Sequence, residues 1–212
     1  MSPRETMTDR AKLLAEYRNK KGDIRKRLLE FKKIGKGSPK DIFTELCFCI
    51  LTPQSNARHC DKAIRELKKR RLLFKAPAGA IRPILKGRSR FHKKKAVYLV
   101  SARRSFDVGV LSSDNIFDMR KEIVKNIKGV GYKEASHFLR NIGLGRDIAI
   151  LDRHILKNLK RYGVIDKVPS SVSVGSYIDI EEKARSFAGK IGIGLDELDL
   201  LFWSRETGEI FK

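Results

Sequence analysis

The sequence predicts an all-α protein. Only six prolines occur in 212 residues, so long stretches are free of helix breakers. Apolar residues recur at helical spacing along most of the chain, whereas the alternation of Val, Ile and Thr that is typical of strands is scarce. The length and the 41% apolar fraction suit one domain, or two small helical subdomains that share a cleft.

The first half of the chain contains four predicted helical regions. A long charged helix or helix pair over about 8–34 is followed by a more apolar helix that begins at Ser38-Pro39 and ends at Thr52-Pro53. Ser55 is the expected N-cap of the next helix, which ends in the basic run 68–71. A further helix over 90–104 is expected to bury one apolar face and to expose three lysines, Lys93, Lys94 and Lys95.

The second half continues with helices around two turns. A helix capped by Ser113 or Asp114 runs to about Ile127, and a helix over 132–142 follows the tight turn 128–131. Asp152 is the expected N-cap of another helix, and the last helix spans 195 to about 204. The turn-rich stretch 165–176 is the favoured seam between subdomains, with the region near Gly109 as the alternative.

The charge of the chain predicts a polyanionic partner. Lys and Arg number 47 against 25 Asp and Glu, so the formal net charge is +22 at pH 7. Such a surplus repels itself unless a polyanion offsets it, which fits ribosomal, RNA-processing and DNA repair proteins alike. A high lysine content is also found in thermophiles.

The sequence gives no sign of a membrane or secreted location. It has no apolar run near the roughly 18 residues of a membrane helix, and its N-terminus lacks an apolar signal region. The three cysteines, Cys47, Cys49 and Cys60, lie in apolar helical stretches and match no zinc pattern. We therefore expect buried thiols in a reducing cytoplasm.

A glycine turn marks the most informative segment. Gly129 and Gly131, on either side of Val130, separate two helical patterns and permit positive φ and close backbone approach. The helix that follows begins with unpaired N–H groups, which can hold the phosphates of one strand without reading sequence. A plain interhelical turn is the alternative interpretation.

Two groups near this turn could carry chemistry. Lys133 lies in the first turn of a helix, near the positive end of its dipole, which favours the neutral amine that can attack carbon. Asp152 follows an apolar triplet at another helix start, where a carboxylate is held rigidly. An ordinary solvated lysine and an ordinary N-cap are the alternatives.

Together these segments resemble the helix-hairpin-helix/Gly-Pro-Asp superfamily of DNA glycosylases. The matching segments read I-K-G-V-G-Y-K-E-A over 127–135 and L-D-R-H-I over 151–155, with Lys128 in place of the usual proline and Leu151 before the aspartate. The resemblance implies one glycosylase unit over 1–212 with two helical subdomains flanking an active-site cleft, and a helix-hairpin-helix at about 116–142. It also implies that Lys133 is the nucleophile of a bifunctional glycosylase/lyase and that Asp152 is the catalytic carboxylate.

The resemblance extends to the type 2 8-oxoguanine DNA glycosylases of archaea and thermophilic bacteria. No cysteine follows Cys60, so the iron–sulfur cluster of the endonuclease III branch is absent, whereas the ending 201–212 and segments 51–55 and 90–96 look like the type 2 group. In that group an aromatic pair sandwiches the flipped base and a terminal lysine helps to recognise it. Phe91, Trp203 and Lys212 match those positions, and Gln54 is a further candidate for base recognition or for helix capping.

The implied reaction needs no cofactor and no catalytic metal. The resemblance implies only a structural cation at the backbone carbonyls of Lys125, Ile127 and Val130, and a monomer that acts on double-stranded DNA containing oxidised guanine. Two other functions stay open at this point. One is a glycosylase/lyase for oxidised pyrimidines, and the other is a non-catalytic hairpin protein that only binds nucleic acid.

Overall fold

The structure is a computed structural model that describes the backbone of residues 3–212 and the side chains of residues 9–212. Ten α-helices and one short 3₁₀-helix make up its regular structure, and the described residues contain no strand, so the all-α prediction is confirmed. The helices are α1 (Pro3–Gly35), α2 (Pro39–Leu51), α3 (Ala57–Lys69), α4 (Ala78–Leu85), α5 (His92–Ser105), α6 (Ile116–Asn126), α7 (Tyr132–Asn141), α8 (Arg153–Arg161), α9 (Val174–Ile191) and α10 (Leu195–Thr207); the 3₁₀-helix spans Val108–Ser112.

Several helix starts differ from the predicted ones by a residue or two. Asn56, not Ser55, caps α3 by accepting a hydrogen bond from the backbone of His59, and Asn115 caps α6 instead of Ser113 or Asp114. In each case a polar residue nearby could serve as the cap, and the local sequence does not rank them. The short helix α4 was not predicted, because Pro83 in its interior interrupts the helical pattern.

Lys95 is buried, which makes the prediction of three exposed lysines on α5 wrong at one position. Its residue surface is only 4% exposed, whereas Lys93 and Lys94 are exposed as expected. The Lys95 ammonium donates hydrogen bonds to oxygens of the chain around α2 and α3, so polar partners compensate for its burial.

Two hydrophobic cores divide the molecule. The first joins α2–α7 and includes Phe211, and the second joins α1 with α8, α9 and α10. The chain passes from one core to the other at about 142–149, where Ile148 belongs to the first core and Ala149 to the second. The seam predicted at 165–176 or near Gly109 is therefore wrong, since each of those stretches packs within a single core.

A buried ion pair bridges the two cores. The guanidinium of Arg120 on α6 makes a bidentate contact with the carboxylate of Glu181 on α9, and each side chain is 2% exposed. Glu181 also accepts a hydrogen bond from the backbone N–H of Ala149 at 2.8 Å. The pair therefore ties α6, α9 and the segment that leads to Asp152 to one another.

The cysteines are buried, as predicted. Cys47, Cys49 and Cys60 are all free thiols with no exposed surface. Burial raises the pKa of each thiol, since the thiolate would lose its hydration. None of the described helices is long and apolar enough to cross a membrane. The N-terminal stretch, in which the sequence predicts no secretory signal, begins with two residues that lie outside the described part.

Candidate active site

A cavity of about 750 Å³ opens where the two cores meet. The α2–α3 loop, α7, the start of α8, α10 and the end of the chain all contribute to its wall. The wall includes the side chains of Gln54, Lys133, His137, Arg140, Asp152, Asp199, Trp203 and Lys212. Five of the six predicted catalytic and base-recognition residues thus lie around one cavity, and the exception is Phe91.

The hairpin between α6 and α7 has the shape that its glycines predict. Gly129 has a φ of +86°, and a Cβ atom there would lie 2.3 Å from the ring of Tyr98. Gly131 precedes α7 as its N-cap, where its N–H donates to the side chain of Glu134. Val130 is buried and fixes the turn to the first core. The remaining N–H groups at the start of α7 are therefore presented at the surface of the hairpin.

Lys133 is placed at the start of α7, directly after the hairpin. Its side chain is 27% exposed, and its Nζ lies 3.1 Å from Oε1 of Glu134. The other oxygen of Glu134 accepts the hydrogen bond from Gly131, so this one carboxylate both caps α7 and holds the lysine. The nucleophile candidate is thus oriented by its neighbour and still reaches the cavity.

Asp152 caps α8, as predicted, and also lines the cavity. Its Oδ1 accepts hydrogen bonds from the backbone N–H groups of His154 and Ile155, at 2.8 and 2.9 Å. Both capping bonds go to the same oxygen, so the cap does not engage Oδ2. Capping and a chemical role of this carboxylate are therefore compatible, and the N-terminus of α8 stabilises its negative charge.

The two predicted aromatic residues differ in their placement. Trp203 on α10 lines the cavity, packs edge-on against His154 at 5.3 Å between ring centroids, and has a buried Nε1 with no hydrogen-bond partner. Phe91 is 51% exposed and lies outside the cavity wall, where the guanidinium of Arg90 covers its ring at 4.9 Å. The structure without DNA does not bring the two rings together, so the base sandwich stays a prediction.

Gln54 and Phe91 share an unusual backbone conformation. Gln54 has a φ of +53° and Phe91 a φ of +57°, in the left-handed region that non-glycine residues rarely adopt. Gln54 lines the cavity, and Phe91 lies next to Arg90, which also lines it. Strained conformations of this kind persist only where surrounding contacts hold them.

Lys212 reaches the cavity with its ammonium already paired. Its Nζ lies 3.1 Å from Glu45 and 3.2 Å from Asp61, and it packs over the ring of Phe48. Phe211 beside it is buried in the first core. The side chain of Lys212 is therefore an anchor, which leaves the main chain of this residue as the part that can face a ligand.

Three buried charged or polar residues of the cavity were not predicted, namely Asp199, Arg140 and His137. Asp199 on α10 is buried, and burial raises its pKa to about 7 even though Arg140 lies 3.1 Å away. His137, one turn after Lys133 on α7, is buried, and burial lowers its pKa well below the usual range. The spacing of Asp199 and Trp203, four residues apart on one helix, could have indicated the first of these.

The structural cation stays a prediction. The carbonyl oxygen of Ile127 accepts a hydrogen bond from the N–H of Val130 at 3.2 Å, which closes the hairpin turn, and Lys125 lies in the last turn of α6 just before it. Within the described residues, no group of three or more His, Cys, Asp or Glu side chains could hold a metal ion.

Comparisons with known proteins identify the family of this chain. The family model for 8-oxoguanine DNA glycosylase of the helix-hairpin-helix type matches residues 24–193. A protein of Fusobacterium nucleatum named 8-oxoguanine DNA glycosylase/AP lyase is 45% identical over 92% of this chain and 94% of its own length. One of the same name from Methanocaldococcus jannaschii is 40% identical over 95% and 98%.

The fold of this chain is the same as that of a solved structure. The crystal structure of the Methanocaldococcus jannaschii 8-oxoguanine glycosylase/lyase, in complex with 15mer DNA containing 8-oxoguanine, superposes with a TM-score of 0.87. It is 39% identical in sequence, and the match covers 95% of this chain and 98% of that one. The chain therefore belongs to the helix-hairpin-helix family of 8-oxoguanine DNA glycosylases.

Proposed function

We propose that this protein excises 8-oxoguanine from duplex DNA and then cleaves the strand at the resulting abasic site, with Lys133 as the nucleophile. The observation that carries the proposal is the placement of Lys133, Asp152 and Trp203 around one cavity beside the hairpin. A relative of this family was solved with 8-oxoguanine DNA, which supports the substrate. We expect the protein to act as a monomer on DNA in the cytoplasm.

DNA binding begins with charge and is then fixed by the hairpin. The net charge of +22 attracts the duplex without regard to sequence. Backbone N–H groups of Gly129, Val130, Gly131 and the first turn of α7 hold phosphates of one strand. The damaged nucleotide then rotates out of the stack into the cavity, at a cost of a few kcal/mol.

Base excision follows from the placement of the two catalytic candidates. Lys133 loses a proton, attacks C1′ of the sugar and displaces the base, which leaves with the electrons of the glycosidic bond and takes up a proton. Positive charge grows on the sugar during this step. The Asp152 carboxylate stabilises that charge, and its cap on α8 holds it in position before the reaction.

Strand cleavage uses the covalent intermediate. The sugar ring opens to give an imine between C1′ and Lys133, and this protonated Schiff base acidifies the C2′ proton. Removal of that proton breaks the C3′–O bond by β-elimination and releases the 3′ phosphodiester. Hydrolysis of the imine then frees Lys133.

Recognition of the lesion is assigned to the remaining residues of the cavity. The face of Trp203 returns part of the stacking that the flipped base loses, and Phe91 supplies a second face once DNA is bound. An 8-oxopurine carries an N7–H donor that guanine lacks. The main chain of Lys212 and the side chain of Gln54 offer acceptors that discriminate against a base without that donor.

Borohydride trapping tests the assignment of the nucleophile. Reduction should convert the Schiff base between Lys133 and 8-oxoguanine DNA into a stable crosslink, and Lys133→Gln should abolish both crosslink and strand cleavage while it retains DNA binding. Lys128→Gln removes an equal charge from the exposed side of the same hairpin and should still be trapped. Trapping of Lys133→Gln would show that another amine is the nucleophile.

A lesion panel tests the substrate. Duplexes with 8-oxoguanine, with an oxidised pyrimidine and with a preformed abasic site are compared under single turnover. Faster excision of the oxidised pyrimidine than of 8-oxoguanine would contradict the proposed substrate. If the protein crosslinks to none of the three duplexes, the proposal that it is a glycosylase/lyase is wrong.

A further inference from the structure

Lys95 has an unusual environment for a lysine. Its ammonium lies within 3.1 Å of four oxygens, those of the Leu51 and Pro53 carbonyls at 2.7 Å and those of the Ser55 and Ser89 hydroxyls at 3.0 and 3.1 Å. No carboxylate is among these partners. Neutral oxygens thus surround this ammonium in the way that they surround a bound monovalent cation.

The oxygens come from two separate stretches of the chain. Leu51, Pro53 and Ser55 belong to the end of α2 and the loop to α3, and Ser89 belongs to the turn before α5. Ser55 also accepts a hydrogen bond from the Arg90 N–H at 2.9 Å. The ammonium therefore ties the two loops together, alongside the hydrogen bonds of the Ser89 hydroxyl with the Ser55 hydroxyl and the Leu51 carbonyl.

Each of these loops carries one residue in the left-handed region. Gln54 lies between Pro53 and Ser55, and Phe91 lies two residues after Ser89. Both residues are proposed to contact the flipped base. The Lys95 ammonium thus bonds both neighbours of Gln54 and the turn that leads to Phe91, and these two loops, which reach the cavity at Gln54 and Arg90, form its rim. Each loop must hold one strained residue in place.

The charge of Lys95 is retained near neutral pH. Its pKa is lowered to about 8, mainly by burial and in addition by the charge of Lys133, whereas Cys60 and the carboxylate of Glu134 oppose the change. A group that titrates at about 8 is mostly an ammonium at pH 7, with all three N–H donors available to the four oxygens.

We infer that Lys95 is a positioning residue for base recognition, which sets the Gln54 loop and the Phe91 turn at the spacing that accepts the damaged base. This inference rests on the proposed function. Lys133 and Asp152 lie on other elements, α7 and the start of α8, and none of the hydrogen bonds of the Lys95 ammonium goes to either of them.

The proposed role of Lys95 affects base excision but not cleavage at an abasic site. Excision of 8-oxoguanine needs the rim, because the base must be held while C1′ is attacked. Cleavage at a preformed abasic site does not need it, since no base is present. Loss of the Lys95 ammonium should therefore slow excision and spare the lyase step, whereas general destabilisation of the fold would slow both.

The test compares Lys95→Met with Lys94→Met under single turnover on both substrates. Lys94 is exposed on the same helix, so its variant removes one charge without touching the rim. For Lys95→Met we expect 8-oxoguanine excision to fall at least about tenfold, since small displacements of positioning groups cost up to about 10²-fold in rate. Cleavage of the abasic site should stay within about twofold of the unmodified protein, as should both activities of Lys94→Met.

A second variant guards against misfolding. Ser55→Ala combined with Ser89→Ala removes two of the four acceptors and keeps the lysine, and it should slow excision in the same selective way. Equal loss of both activities in the folded variants, or no loss in either, would overturn the inference. Absence of 8-oxoguanine excision by the unmodified protein would instead overturn the proposed function, and this inference with it.

Discussion

At the scale of single residues, a substitution can separate the helix cap that Asp152 forms from the catalytic role that we propose for it. Its Oδ1 caps α8, and the carboxylate faces the cavity. Asparagine is an equally good N-cap, so Asp152→Asn should preserve the helix while it removes the negative charge. We expect the single-turnover excision rate to fall by about 10²-fold or more and the melting temperature to change little. An unchanged rate would leave Asp152 as a cap alone.

Asp199 predicts a pH dependence of excision. Its pKa is raised to about 7, mainly by burial, with Asp152 and Asp196 adding to the rise and with Arg140 and Lys133 opposing it. The carboxyl is therefore neutral at pH 6 and charged at pH 8, where its charge adds to the stabilisation of a cationic sugar. The excision rate should rise through pH 7, and Asp199→Asn should remove this inflection.

Deprotonation of Asp199 should lower the stability of the fold, although it should raise the excision rate. Because the folded protein binds this proton more tightly than the unfolded chain does, Asp199 stabilises the fold at acidic pH, and this contribution is lost as the pH rises through 7. If the excision rate of Asp199→Asn still rises through pH 7, another group in the cavity is responsible for the pH dependence.

The residue scale also shows what sequence can reveal about a site. Lys133 and Asp152 were found because their motifs are local, and Trp203, Lys212 and Gln54 because the resemblance reached their segments. Asp199 and Lys95 were missed or misplaced. Their properties come from burial by distant parts of the chain, and a lysine in a run of three gives no local sign that it points inward.

At the scale of elements, the conformation of the hairpin between α6 and α7 depends more on Gly129 than on Gly131. Alanine at Gly129 would have to keep a φ of +86° and would place its Cβ 2.3 Å from the ring of Tyr98. Gly131→Ala would meet only the carboxylate of Glu134, at 3.2 Å, which can shift. The hairpin should tolerate the second change and not the first.

We therefore expect Gly129→Ala to lower the unfolding free energy by about 1–3 kcal/mol and to weaken binding to an abasic-site duplex. Gly131→Ala should change either quantity much less. Chemical denaturation and fluorescence anisotropy measure the two effects. Equal affinities for the two variants would show that the shape of the hairpin does not set phosphate binding.

Helix starts were predicted correctly where the local sequence offers a single clear capping residue. Ser38-Pro39 begins α2 and Asp152 precedes α8, as expected from their capping patterns. The prediction failed where several candidates stand side by side, as at Ser55 and Asn56, or where proline masks a short helix, as at Pro83. In these places tertiary packing chooses between alternatives of similar local energy.

At the scale of the whole molecule, the cavity exists because two cores meet there and the Arg120–Glu181 pair fixes their contact. The sequence predicted the cleft but not the seam, since the second core joins α1 to helices that lie far along the chain. A contact between such distant segments leaves no periodic sign in either one.

Removal of one charge from this pair should be costly. Glu181→Gln leaves Arg120 buried with no ionised partner and weakens the bond to Ala149, so we expect a loss of about 3–5 kcal/mol in unfolding free energy. Asp179→Asn breaks an exposed pair with Lys183 on the same helix and should leave the stability nearly unchanged. Similar small losses for both variants would show that the cores meet without the help of the pair.

The burial of the three thiols has a consequence for the conditions in which the enzyme works. Guanine is oxidised when peroxide and related oxidants are abundant, and these reagents attack thiolates that solvent can reach. Cys47, Cys49 and Cys60 have no exposed surface and a raised pKa, so few thiolates form and none is accessible. The protein should therefore retain three titratable thiols, measured after unfolding, at a peroxide dose that consumes an exposed cysteine, and it should stay functional under the stress that creates its substrate.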